Sequence, residues 1–163
     1  MCRLFLQFLK YLHFKKSRKD NSLPALFLRN HGLPVGSEFP GLMDAIKHIK
    51  SKEFDGMIVL FLSTTCQTCI EFFTKIEYLK EKWSTKGILI FVNGNNAQFN
   101  KIHKEHQLKI PLFQYELAQF QIYRTTIFPY MYYLSNQGMI LSQGAVNGTE
   151  QIDVIVSKEN EGV

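Results

Sequence analysis

Residues 57–73 read MIVLFLSTTCQTCIEFF, and this stretch decides the fold. Its first six residues, Met57 to Leu62, are apolar without alternation and rich in branched and aromatic side chains. A strand with one wet face alternates, whereas a strand covered on both faces does not, so the run predicts a central strand. Beyond Thr65 the period changes. Cys69, Phe72, Phe73, Ile76, Leu79 and Trp83 recur at i, i+3 and i+4, the apolar stripe of an amphipathic helix. Glu71 and Lys75 fall on the opposite face at the i, i+4 spacing of an ion pair. Cys66 and Cys69 therefore stand where a buried strand hands over to a helix.

Working outward, Lys86-Gly87 ends the helix and Ile88–Val92 reads as a second buried strand. Asn93–Asn96 is a polar loop, Ala97–His106 a shorter helix and Ile110–Tyr115 a short strand. Tyr130–Leu134 and Met139–Gln143 flank a turn at Asn136-Gln137-Gly138 and predict a hairpin. Asn147 and Glu150 have the spacing of a capping box before a terminal helix at Ile152–Ser157. Upstream, Asp55-Gly56 marks a turn and Asp44–Lys52 has helical character. Residues 17–41, with Pro24, Gly32, Pro34, Gly36, Pro40 and Gly41, read as a linker that enters a domain near Leu33. Buried strands alternating with helices imply parallel pairing through right-handed crossovers, and the hairpin adds antiparallel strands. The expectation is an α/β sandwich with a mixed sheet over residues 33–163, preceded by a segment of its own character over residues 1–32.

The charge is unevenly placed. The chain has 163 residues and a net charge of +5, yet Arg3, Lys10, Lys15, Lys16, Arg18 and Lys19 lie in the first 19 residues with no acid among them. The remainder carries 13 basic and 14 acidic residues, too balanced for a nucleic-acid surface. In the first stretch Leu4, Phe5, Phe8, Leu9 and Leu12 share one helical face, and Arg3, Gln7, Lys10 and His13 the other. A basic amphipathic stretch of this kind suits an anionic membrane surface; a helix packed on the domain is the alternative. No run approaches the roughly 20 apolar residues of a membrane span. Three cysteines exclude a disulfide-stapled scaffold, and 45% hydrophobic residues suffice for a core.

The cysteine pair admits two chemistries. At a helix start the backbone N–H groups lack partners and the helix dipole is positive, which favours a thiolate at Cys66. Cys69, one turn on, can attack a mixed disulfide formed there, so that Cys66 attacks and Cys69 resolves. Alternatively, His103 and His106 on the following helix complete a Cys2His2 zinc set, or a copper-handling site.

The strand–CxxC–helix unit, followed about sixty residues later by a proline that opens a hairpin, resembles the thioredoxin superfamily. The lead-in LPVGSEFPGL, the phrase IVLFLSTTCQTC and the extra strand–helix between Lys86 and Tyr115 are similar to the membrane-tethered bacterial thiol-disulfide oxidoreductases of the TlpA/ResA and MauD-like group. The resemblance implies a thioredoxin-like three-layer sandwich, a mixed β-sheet flanked by helices. It makes Cys66 the nucleophile, Cys69 the resolving cysteine, Pro129 a cis-proline facing them, and Phe128 the residue whose backbone pairs with an extended substrate. It implies no metal and no bound cofactor, protein or peptide thiol and disulfide substrates, and a redox partner that recycles the pair. A monomer on the extracytoplasmic face of the bacterial cytoplasmic membrane is expected, a cytoplasmic protein being the alternative. The chain departs from the superfamily pattern at Thr65, where a Trp is usual, at Gln67-Thr68, which lack the usual Pro, and at Leu60, where thioredoxins carry a buried acid. A non-catalytic thioredoxin-like binding domain is the third reading.

Overall fold

A computed structural model describes residues 31–42, 54–106 and 109–157. The basic stretch at residues 1–19 and the helix expected over Asp44–Lys52 lie outside the described residues. The elements are β1 (Met57–Ser63), α1 (Gln67–Lys82), β2 (Gly87–Asn93), α2 (Asn96–His106), β3 (Leu112–Tyr115), a 3-10 turn (Leu117–Gln119) running into α3 (Phe120–Tyr123), β4 (Tyr130–Leu134), β5 (Ile140–Ala145) and α4 (Thr149–Ser157). Their sheet has the order β3-β2-β1-β4-β5. β1 and β2, and β2 and β3, pair in parallel, while β4 is antiparallel to both β1 and β5. The mixed α/β sandwich expected from the alternation is formed.

All seven residues of β1 are buried, as its lack of alternation requires. The period of two sends Ile58, Leu60 and Leu62 to one face, where they meet Cys69, Phe72, Phe73, Ile76 and Leu79 of α1 and Ile152, Ile155 and Val156 of α4. Met57, Val59 and Phe61 go to the other face, among Phe39, Phe91, Tyr115, Tyr123, Tyr130 and Tyr132. Seven of the thirteen described buried residues of that second core are aromatic: Phe61 stacks on Phe91 with ring centroids 4.8 Å apart, and Tyr115 meets Phe61 edge-on at 5.1 Å. Its buried tyrosines keep hydrogen-bond partners, Tyr115 Oη donating to the Thr125 carbonyl at 2.6 Å and Tyr132 Oη to the Tyr123 carbonyl at 2.6 Å.

Four details differ from the sequence reading. Residues 31–42, irregular as expected of a linker, are packed on the sheet: Phe39 is 1% exposed, and the Leu33 N–H donates to Tyr132 Oη at 3.1 Å. Gly36 N–H donates to the Ile140 carbonyl at 2.7 Å, Ile140 N–H to the Ser37 carbonyl at 2.9 Å, and Glu38 bridges Met139 in antiparallel fashion, so this segment pairs with the start of β5. The helical stretch 117–123 has too short a period to announce itself. α4 begins three residues before Ile152, and it is Gln151, not Glu150, whose side chain accepts the Asn147 N–H. The Glu71–Lys75 ion pair is not among those formed by the described residues, where Lys101 and Glu105 of α2 make the i, i+4 contact at 3.7 Å instead.

Candidate active site

β1 ends at the carboxyl edge of the parallel strands, and three residues carry the chain from there to α1. Thr64 N–H donates to the Asn93 carbonyl at 2.9 Å, tying this turn to the end of β2. Cys66 N–H closes it by donating to the Ser63 carbonyl at 3.3 Å, and Ile70 N–H makes the helix's opening bond to the Cys66 carbonyl at 3.1 Å. Cys66 is thus the N-cap of α1, with extended backbone angles and no capping bond from its side chain. No acid occupies the first turn. The unpaired amides and the positive end of the dipole therefore lie at Cys66 without a competing carboxylate in the first turn.

The two cysteines are free thiols in contrasting settings. Cys66 is half-buried and Cys69 is 0% exposed. Burial pushes the Cys69 thiol up to about 12, with the Cys66 sulfur beside it adding in the same direction and a backbone hydrogen bond at Ser63 opposing. Leu60, in the position of the superfamily's acid, is fully buried in the same cluster as Cys69. The interior side of the pair is apolar, and Glu71 is exposed. Across from Cys66, the Phe128 carbonyl accepts a hydrogen bond from its Sγ at 3.5 Å. The Phe128–Pro129 peptide bond is cis. Cys66, Cys69, Phe128 and Pro129, from segments far apart in sequence, therefore meet at the carboxyl end of β1.

The segment leading to Pro129 is held carbonyl by carbonyl. Gly32 N–H donates to the Arg124 carbonyl at 2.7 Å, Tyr115 Oη to that of Thr125 at 2.6 Å, and Thr125 Oγ1 to that of Ile127 at 3.2 Å. Thr126 N–H donates to His31 Nε2 at 3.2 Å. Sequence reasoning found none of Tyr115, Thr125 or Gly32 in this capacity, because a hydroxyl-to-carbonyl bond between segments leaves no periodic signal.

The histidines go elsewhere. No group of three or more His, Cys, Asp or Glu side chains able to hold a metal gathers among the described residues. His106 stacks on Phe73 at 5.9 Å, and His103 is exposed on the same helix. The Cys2His2 set is therefore not assembled. α2 places His106 against an apolar ring of α1, which suits an aromatic contact and keeps the two histidines from joining the cysteines.

No protein-family model and no curated protein sequence matches the chain. Solved structures do. The thioredoxin domain of a thiol-disulfide oxidoreductase from Bacteroides vulgatus superposes with a TM-score of 0.59 at 14% identity, over 77% of this chain and 97% of that one. StoA from Bacillus subtilis gives 0.53 at 16%, over 66% and 86%. A secreted disulfide oxidoreductase from Mycobacterium tuberculosis, homologous to DsbE of E. coli, gives 0.52 at 8%, over 63% and 81%. At such identities the likeness is one of backbone, and with the strand order and the helix that starts at Cys66 it leads to one statement: the chain has the thioredoxin-like fold found in thiol-disulfide oxidoreductases.

Proposed function

We propose that the chain is a thiol-disulfide oxidoreductase acting on protein or peptide substrates through Cys66 and Cys69. The observation that carries this is the asymmetry of the pair: an accessible sulfur at an uncapped helix start, and a second sulfur one turn further on, sealed in an apolar core. In the reducing direction the Cys66 thiolate attacks one sulfur of a substrate disulfide, forming a mixed disulfide and releasing the other substrate sulfur as a thiolate that takes up a proton. Cys69 then loses its proton and attacks the Cys66 sulfur. This closes the Cys66–Cys69 disulfide, transfers two electrons to the substrate and releases its second thiol. Burial holds Cys69 protonated until the mixed disulfide forms, which keeps it from competing for substrate. Phe128 and Pro129 face the reacting sulfur from the opposite wall and are proposed as the substrate-contacting residues. The reverse sequence oxidises a substrate dithiol.

The test is stoichiometric alkylation of the reduced chain with iodoacetamide, read residue by residue by mass spectrometry. Cys66 is expected to react in the folded protein, and Cys69 only after denaturation. Faster reaction at Cys69 would reverse the roles. The reduction potential of the pair then sets direction, a value near about −270 mV marking a reductase and one near about −120 mV an oxidant.

Among the described residues no helix is long and apolar enough to cross a membrane. We place the domain on the extracytoplasmic face of a bacterial membrane, held at the surface by residues 1–19, working as a monomer and recycled by a separate redox partner. The six cations of that stretch support this reading, each contributing about 1 kcal/mol near an anionic bilayer. Co-sedimentation with anionic vesicles, lost on raising the salt or removing residues 1–19, is the expected result; salt-independent binding would remove the electrostatic argument.

A further inference from the structure

 Tyr115 is the last residue of β3, and through its contact with Phe128 it is built into the wall opposite Cys66. Tyr115 is 0% exposed, and its hydroxyl donates to the Thr125 carbonyl at 2.6 Å. Its ring meets the Phe128 ring at a centroid distance of 6.0 Å and an angle of 64°. Its own carbonyl accepts from Asn93 Nδ2 at 3.1 Å, so the residue is anchored to the end of β2, the strand that also ties down the turn before Cys66.

The geometry assigns Tyr115 the role of a positioning residue that sets where the Phe128 carbonyl stands relative to the Cys66 sulfur. This rests on the reading of Cys66 as the attacking thiol. Thr125 is fully buried, so without the Tyr115 hydroxyl its carbonyl becomes an unpaired acceptor in an aromatic core. The segment then shifts to find a partner, and through the Thr125 Oγ1 bond to the Ile127 carbonyl the displacement passes to Phe128. The Phe128 carbonyl accepts from the protonated Cys66 sulfur and occupies one side of its approach. Its withdrawal frees the sulfur for attack.

The experiment compares Tyr115→Phe, which keeps the ring and removes the hydroxyl, with Ser142→Ala, which removes another buried hydroxyl bonded to a carbonyl, that of Ile155, in the contact of β5 with α4. Both variants are expected to lose thermal stability. Only Tyr115→Phe is expected to raise the iodoacetamide rate at Cys66, by about three-fold or more, and to move the amide resonances of Cys66 and Tyr130. Thr125→Val is the second handle on the same connection and is expected to act in the same direction if Tyr115→Phe does not fold. A Cys66 rate within two-fold of the unmodified chain in a folded Tyr115→Phe or Thr125→Val protein overturns the assignment, as does an equal rise in Ser142→Ala. Because alkylation needs no substrate, these outcomes are separate from failure of the redox reading, which would show as no disulfide exchange by the unmodified chain.

Discussion

Gly94 illustrates how narrowly the turn before the cysteines is built. A Cβ at this position would lie 2.6 Å from Cγ2 and 2.7 Å from Oγ1 of Thr64, closer than real contacts allow. Thr64 is the residue whose N–H is held by the Asn93 carbonyl, so the glycine gives the turn its room. Gly94→Ala is expected to destabilise the fold by about 1–3 kcal/mol, the usual cost of overpacking. Thr64→Ala in the same chain should recover much of that loss, because it removes the colliding atoms. Denaturant midpoints for the two single variants and the double variant form the cycle. Additive losses would show that the two residues do not collide. Which glycine matters here was not visible in the sequence, where Asn93-Gly94 reads only as loop; the constraint comes from a side chain thirty positions earlier that the sheet brings alongside.

At the scale of elements, β1 and α1 were legible because each buries a pattern with its own period: unbroken for a strand covered on both faces, i, i+3, i+4 for a helix covered on one. The same stripe predicts the energetics. Ile76 is 1% exposed between the sheet and α1, so Ile76→Ala should cost about 2–5 kcal/mol, while Tyr78→Ala, at a residue 54% exposed on the outer face, should stay within about 0.5 kcal/mol. Chemical denaturation of both variants checks the contrast, and equal losses would put the helix face in the wrong place. Elements without a period were not legible. The stretch 117–123 turns too few times to show one. In residues 31–42 only Leu33, Phe39 and Leu42 do the packing, without a period, among prolines and glycines, and such a composition reads as a linker. The site followed the same division: Cys66, Cys69 and Phe128-Pro129 carry a recognisable order along the chain, whereas Tyr115 and Thr125 meet only through the fold.

Four buried tyrosines, Tyr115, Tyr123, Tyr130 and Tyr132, share one side of the sheet, and this makes the stability of the whole molecule sensitive to alkali. Burial pushes Tyr115 and Tyr130 up to about 12 and moves Tyr123 and Tyr132 in the same direction. An unfolded chain releases these four phenolic protons near pH 10, while the folded one retains them. Stability is therefore complete below about pH 10 and falls as the pH rises toward about 12, by up to about 1.4 kcal/mol per pH unit for each such tyrosine. Denaturant midpoints measured across that range should drop, with the phenolate absorbance of these four tyrosines appearing only as the fold is lost. Titration of all the tyrosines near pH 10 in the intact fold would contradict this account. The segment at Gly36–Glu38 has a different consequence at the same scale. A strand at the margin of a sheet offers unpaired N–H and carbonyl groups to any other chain that can extend along it. By pairing with the start of β5 at Met139 and Ile140, these few residues act as a guard against such recruitment there. Deleting residues 31–40 should leave a chain that gains mass with concentration in light scattering, its newly bared margin serving as a template for further copies.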